Sequence, residues 1–215
     1  MKVFGAAQSP FVRKVLVVLE EKGLYYELEP PAPALHPMGK MPVLQDAGQV
    51  IPDSSVICAY LEKKHPAPAL YPEAAGEFAQ ALFLEEYADT HMSDDMGAIV
   101  LESLIKPTLL GQPTDHDRLA ALRAAVAARW TGAARSAAGS QVPSVLDYLE
   151  SVLPPDRDTV LPRFSIADVA LGVHFGWLPF TGLTLDAERW PRTARFHAAI
   201  GGRRSFRATS GEQAK

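Results

Sequence analysis

The chain has one cysteine, Cys58, in 215 residues. A lone thiol excludes an internal disulfide and every CxxC redox or zinc motif. Positive charge is scarce as well: 21 Lys and Arg against 25 Asp and Glu leave a formal net charge of −4. Nucleic-acid binding calls for a basic face, so no nucleic-acid partner is expected. No apolar run approaches the roughly 18 residues of a membrane span. Val3 to Ala7, behind Lys2, is too short for a secretory h-region. GxSxG, Walker and HExxH patterns are absent, and the histidines show no metal-ligand spacing. The expectation is a soluble cytoplasmic protein without a metal or a membrane attachment.

What is present is ordinary globular composition, 47% hydrophobic and 21% charged, with a change of pattern along the chain. Residues 1–65 alternate strand and helix signals. Val3-Phe4-Gly5 reads as a strand. Val12, Val15, Leu16 and Leu19 then mark a helix whose opposite face carries Arg13, Lys14, Glu20 and Glu21, with Gly23 as its stop. Leu24 to Leu28 reads as a second strand. Five prolines between Pro30 and Pro42 exclude a continuous helix or central strand. Val43 to Ile51 reads as a hairpin turning at Ala47-Gly48. Asp53 to Lys64 reads as a helix with Val56, Ile57, Tyr60 and Leu61 as its stripe, ended by Pro66.

Residues 66–73 read as a linker, and strand signals vanish beyond them. Helices are expected from Ala74 to about Leu104, with a kink near Gly97, and from Asp115 to Ala138. Three more follow: Ser144 to Leu153, Ile166 to Trp177, and one within 191–207. The tail is expected to fray. The fold class expected is an α/β domain (1–65) followed by an all-α domain (74–215).

Four short segments could carry chemistry, and each has a plain structural alternative. Ser9-Pro10 is a routine helix start, Ser at N-cap and Pro at N1. It also offers a hydroxyl beside a helix N-terminus, which favours an anion such as a thiolate. Met41-Pro42-Val43 is either a trans proline opening an edge strand or a cis turn exposing the Val43 backbone to an extended ligand. Asp53-Ser54-Ser55 is a helix cap, or a socket for a ligand with both carboxylate and ammonium. Ser165-Ile166-Ala167-Asp168 is a capping box, a folding signal. His174 is expected to be a satisfied core residue and Cys58 an inert buried thiol.

Taken together, these segments resemble the cytosolic glutathione S-transferase superfamily. The resemblance lies in Ser9-Pro10-Phe11-Val12-Arg13-Lys14-Val15, Gly39-Lys40-Met41-Pro42-Val43-Leu44, Asp53-Ser54-Ser55-Val56-Ile57 with Tyr60-Leu61, and Arg163 to Ala170. It implies a thioredoxin-like N-terminal domain, an all-helical C-terminal domain and a homodimer. It implies glutathione as co-substrate, conjugated to a small hydrophobic electrophile in detoxification. On this resemblance Ser9 is the catalytic hydroxyl that points at the sulfur. Pro42 is the cis proline, with Met41 beside it and Val43 pairing with the cysteinyl backbone. Asp53 and Ser54 hold the γ-glutamyl group, and Lys40 approaches the glycyl carboxylate. Phe11 and residues 87–92 border the second-substrate pocket. Phe4 stands where some classes carry a catalytic tyrosine, and His36 where an asparagine is frequent, its role open. A glutathione-binding protein without turnover, and a glutathione-dependent isomerase or dehalogenase, remain as alternatives of the same fold.

Overall fold

The computed structural model describes residues 1–93, 96–132, 134–135 and 141–210. Strands β1 (Lys2–Phe4), β2 (Glu27–Glu29), β3 (Val43–Asp46) and β4 (Gln49–Pro52) form one sheet in the order β2-β1-β3-β4. Helix α1 (Pro10–Glu21) crosses between the parallel β1 and β2, while β3 and β4 add antiparallel. Helix α2 (Ser54–Lys64) follows β4. This is a thioredoxin-like α/β unit. Two glycines make its corners possible. Gly23 takes φ 63° to end α1, and its N–H bonds the Glu20 carbonyl at 3.1 Å. A Cβ at Gly5 would stand 2.4 Å from a Val12 methyl, so β1 and α1 approach this closely only around glycine.

The rest is helical: α3 (Ala75–Glu86), a π-helical turn at Tyr87–Met92, α4 (Met96–Val100), a second π turn at Leu101–Ile105 and α5 (Lys106–Leu109). Then come α6 (His116–Thr131), a ladder of β5 (Ala134–Arg135) and β6 (Gln141–Val142), α7 (Val145–Val152) and α8 (Ile166–Phe175). Helices α9 (Leu178–Thr181), α10 (Pro191–Gly201) and α11 (Arg204–Ala208) close the described chain. All ten residues of α8 are buried, packed against α1 and α3, which makes α8 the shared core element.

Several expectations need correction. The second strand is shifted to Glu27–Glu29, because Leu24 caps α1 through its N–H to the Leu19 carbonyl. Lys14, which the periodicity places opposite the apolar stripe, is buried: α1 packs on α2, α8 and α11, so that side is covered too. The α2 stripe is Ile57, Cys58 and Leu61, while Val56 faces outward. The helix after the linker is interrupted by its π turns, and Gly97 lies inside α4. α6 ends at Thr131, before Gly132, and the short ladder follows; residues 133 and 136–138 of the expected helix lie outside the described residues. Two helices replace the one expected within 191–207, divided at Gly202-Arg203. Residues 211–215 of the tail lie outside the described residues.

The linker is fastened by α1. Lys22 Nζ donates to the carbonyls of His65 (2.8 Å) and Pro68 (2.9 Å) and pairs with Glu62 at 2.7 Å. Glu62 in turn accepts from the Leu70 N–H at 3.2 Å.

The capping box at α8 is formed. The Asp168 carboxylate accepts from the Val160 N–H (2.7 Å), the Ser165 N–H (2.8 Å) and the Ser165 hydroxyl (3.1 Å). Burial pushes its pKa up to about 6, against the downward pull of those bonds. The native carboxyl therefore holds its proton to higher pH than the unfolded chain does. The stability this gives is full below about pH 4 and lost as pH rises through about 6. The stability of wild type relative to Asp168→Asn is expected to fall by about 2 kcal/mol between pH 4 and 7. Urea unfolding of both proteins across that range checks it, and a constant difference contradicts it.

Candidate active site

The sheet register gathers the candidate residues at one end. Phe4 pairs with Glu29 on one side and with Val43 on the other, and Val43 pairs with Pro52. This row is the last residue of β1, of β2 and of β4, and the first of β3. The loop carrying Ser9, the proline-rich crossover ending at Pro42, and Asp53 therefore all meet there.

Ser9 is the N-cap residue of α1 by position, its carbonyl accepting from the Arg13 N–H at 2.8 Å. Its hydroxyl makes no capping bond. The amides of the first turn have no carbonyl a turn earlier in the helix, so this end keeps its partial positive charge. Ser9 therefore starts the helix by position, as expected, without spending its hydroxyl on the first turn. The loop is held from the helical side, where the Trp177 indole donates to the Gln8 carbonyl at 3.0 Å. Phe11 sets its ring edge-on to His174, 5.6 Å between centroids.

The Met41–Pro42 bond is cis. Val43 is buried at the head of β3, which is an inner strand rather than an edge. Pro52 opposite it has no N–H and donates nothing to Val43. Lys40 and Met41 are exposed on the turn before the strand. The role left open for His36 is structural: its ring is buried, and Nδ1 accepts from the Met38 N–H at 3.0 Å, shaping that turn.

Asp53 takes φ 75°, a left-handed value that costs energy for any residue but glycine. Its Oδ1 accepts from the N–H groups of Ser55 (3.0 Å) and Val56 (3.1 Å), so the cap is real. Among the described residues, Oδ2 accepts no hydrogen bond. One carboxylate thus caps α2 and presents a free oxygen at the exposed rim. Ser54 follows it, buried.

Behind these residues lies a cluster the sequence pattern missed. Lys14 is fully buried, its ammonium 2.9 Å from Ser55 Oγ, 2.9 Å from Glu85 Oε1 and bonded to Asp89. Burial alone would lower its pKa; the carboxylates of Asp89 and Glu85 prevail and raise it. The Tyr71 hydroxyl also donates to Glu85, at 3.3 Å. The π turn delivers Asp89 into this cluster, a change of pitch that no proline or glycine announces. Tyr87, at the start of the turn, packs instead against Tyr148, the rings tilted by 44° with centroids 4.7 Å apart.

His174 is only half satisfied. Its Nδ1–H donates to the Ala170 carbonyl at 2.8 Å, and Nε2 is buried with no partner among the described residues. Burial lowers its pKa, keeping the ring neutral. Cys58 is buried and its thiol pKa is raised by that burial, which suits a packing role. Among the described residues no group of three His, Cys, Asp or Glu could hold a metal, and no helix is long and apolar enough to cross a membrane. A depression of about 380 Å³, lined by Met1, Lys2, Glu27, Gln45 and Asp46, opens at the opposite end of the sheet, away from Ser9.

A family model for the glutathione S-transferase N-terminal domain matches residues 3–69. That stretch contains the whole sheet end with its three loops. Over residues 3–69 the chain is similar to the glutathione S-transferase family, and its whole fold matches solved glutathione S-transferases. The structure of a glutathione S-transferase from Rhodospirillum rubrum F11 superposes with a TM-score of 0.78 at 27% identity, over 97% of this chain and 90% of that one. A glutathione S-transferase from Methylobacterium radiotolerans, solved in complex with glutathione sulfonate, superposes with a TM-score of 0.71 at 28% identity, covering 97% and 93%. The GST-like protein YibF of Escherichia coli (strain K12) is 34% identical over 116 residues. That match spans 50% of this chain and 56% of YibF, so it covers little more than half of the relative.

Proposed function

We propose that this protein is a glutathione transferase: it binds glutathione at the sheet end and adds its thiolate to small hydrophobic electrophiles. The observation that carries the reading is the Ser9 hydroxyl, unspent on its own helix, at the N-terminus of α1. A thiol at that position gains a hydrogen bond to its charged form and the favourable end of a helix dipole. Lowering its pKa from about 8.5 to about 6.5 requires roughly 2.7 kcal/mol, within reach of the two together.

The other loops suit the remainder of the tripeptide. The Val43 backbone would pair with the cysteinyl unit as an added strand does. Asp53, through its free oxygen, would take the γ-glutamyl ammonium, and Ser54, through its hydroxyl and backbone N–H, its carboxylate. Lys40 would face the glycyl carboxylate. The electrophile would lie against Phe11 and the helical domain, and its reaction is one of proximity, with the thiolate held at the attacking distance. The test is conjugation of glutathione to 1-chloro-2,4-dinitrobenzene by wild type and Ser9→Ala. Turnover separates a transferase from a protein that only binds; calorimetry with glutathione tests the binding both require, and absence of heat at millimolar ligand sinks both.

We also propose a homodimer. Val56 on α2 and Phe78 and Leu82, four residues apart on α3, leave apolar side chains exposed. A second copy is the partner that the family assignment favours. Light scattering is expected to give twice the chain mass, and Phe78→Glu with Leu82→Glu the single mass. A monomeric wild type contradicts it.

A further inference from the structure

We propose that Lys14, Ser55 and Asp89 act as a positioning device for the glutathione site, in which Lys14 and Asp89 orient the Ser55 hydroxyl and thereby the first turn of α2. The inference rests on the reading of the site given above and names residues that touch no ligand.

Ser55 stands at the crossing of two sets of bonds. Its hydroxyl accepts from Lys14 Nζ at 2.9 Å and donates to Asp89 Oδ2 at 3.2 Å, so its direction is determined. Its backbone N–H donates to Asp53 Oδ1 at 3.0 Å. Whatever holds the Ser55 side chain therefore also holds the cap that aims the free oxygen of Asp53. Lys14 belongs to α1, five residues after Ser9. Asp89 belongs to the π turn beyond α3. One buried ammonium thus ties the helix that meets the sulfur to the helix that meets the γ-glutamyl group, and both to the helical domain. Apolar residues would join these helices without desolvating three charges. They could not orient a hydroxyl, and the left-handed Asp53 needs surroundings that enforce its conformation.

The decisive comparison is Ser55→Ala with Ser55→Thr. The alanine variant loses the hydroxyl at a half-buried position and is expected to fold. Its glutathione Kd is expected to rise about tenfold, as for one lost polar contact, while KM for the electrophile stays within about twofold. Threonine, which keeps the hydroxyl, is expected to restore the affinity to within about threefold. Hydrogen exchange at the Ser55 and Val56 amides, measured without ligand, is expected to quicken in Ser55→Ala and return in Ser55→Thr. Wild-type binding with equal affinity and equal exchange in Ser55→Ala overturns the positioning role alone. A wild type that binds no glutathione overturns the site reading and this role with it.

Discussion

Replacing Ser9 by alanine is expected to cut kcat/KM for glutathione conjugation by about 30-fold while leaving stability within about 0.5 kcal/mol of wild type. The two halves of this result have separate causes. The loss in rate is that of one hydrogen bond to a thiolate, about 2 kcal/mol, because the donor faces a charge rather than a neutral acceptor. The unchanged stability follows from the cap geometry: the hydroxyl makes no bond to the first turn of α1, so deleting it frees no amide. A serine that capped through its side chain would cost about 1 kcal/mol on removal. Denaturant unfolding and steady-state kinetics on the same two samples give the answer. Comparable rates would remove Ser9 from the chemistry, and a loss of stability without a loss of rate would make it a cap after all.

Lys14→Met is expected to be the most damaging single substitution, lowering stability by about 3–5 kcal/mol and the thermal midpoint by roughly 10 °C. The methionine fills most of the space but leaves the buried Glu85 and the partly buried Asp89 carboxylates without their cation. The cost is that of an uncompensated charge, larger than the net worth of the pair itself. Lys14→Met with Glu85→Gln is therefore expected to recover part of the loss, although it removes one more hydrogen-bonding group. Urea unfolding of the three proteins checks this. A loss below about 1 kcal/mol, or a double variant worse than the single, contradicts the buried-cation account.

Much of this site was legible because its signals are local. Ser9-Pro10 places the start of α1, Gly23 its end, Ala47-Gly48 the hairpin and Asp53 the start of α2, each through the backbone conformation of one or two residues. Ser165 and Asp168 announce α8 for the same reason. Signals that depend on distant neighbours were not legible. Lys14 reads only as one of the charges opposite the apolar stripe of α1, because its partners, Ser55, Glu85 and Asp89, lie 41 to 75 positions away. The π turns at Tyr87–Met92 and Leu101–Ile105 need no special residue, so an unbroken apolar pattern hides them. The Ala-rich stretch after Asp115 continues in composition past the point where the helix stops at Gly132. Ser9 was readable in place but not in use: only the geometry distinguishes a hydroxyl that caps from one that does not.

The most direct test of the site is the ionisation of glutathione bound to the wild-type protein, followed by thiolate absorbance as pH is raised. The account predicts a bound thiol that titrates near pH 6.5, about two units below a free thiol, and moves back toward about 8.5 in Ser9→Ala. A bound thiol that titrates with the free value in both proteins would show that this helix end does not stabilise a thiolate, and would contradict the account.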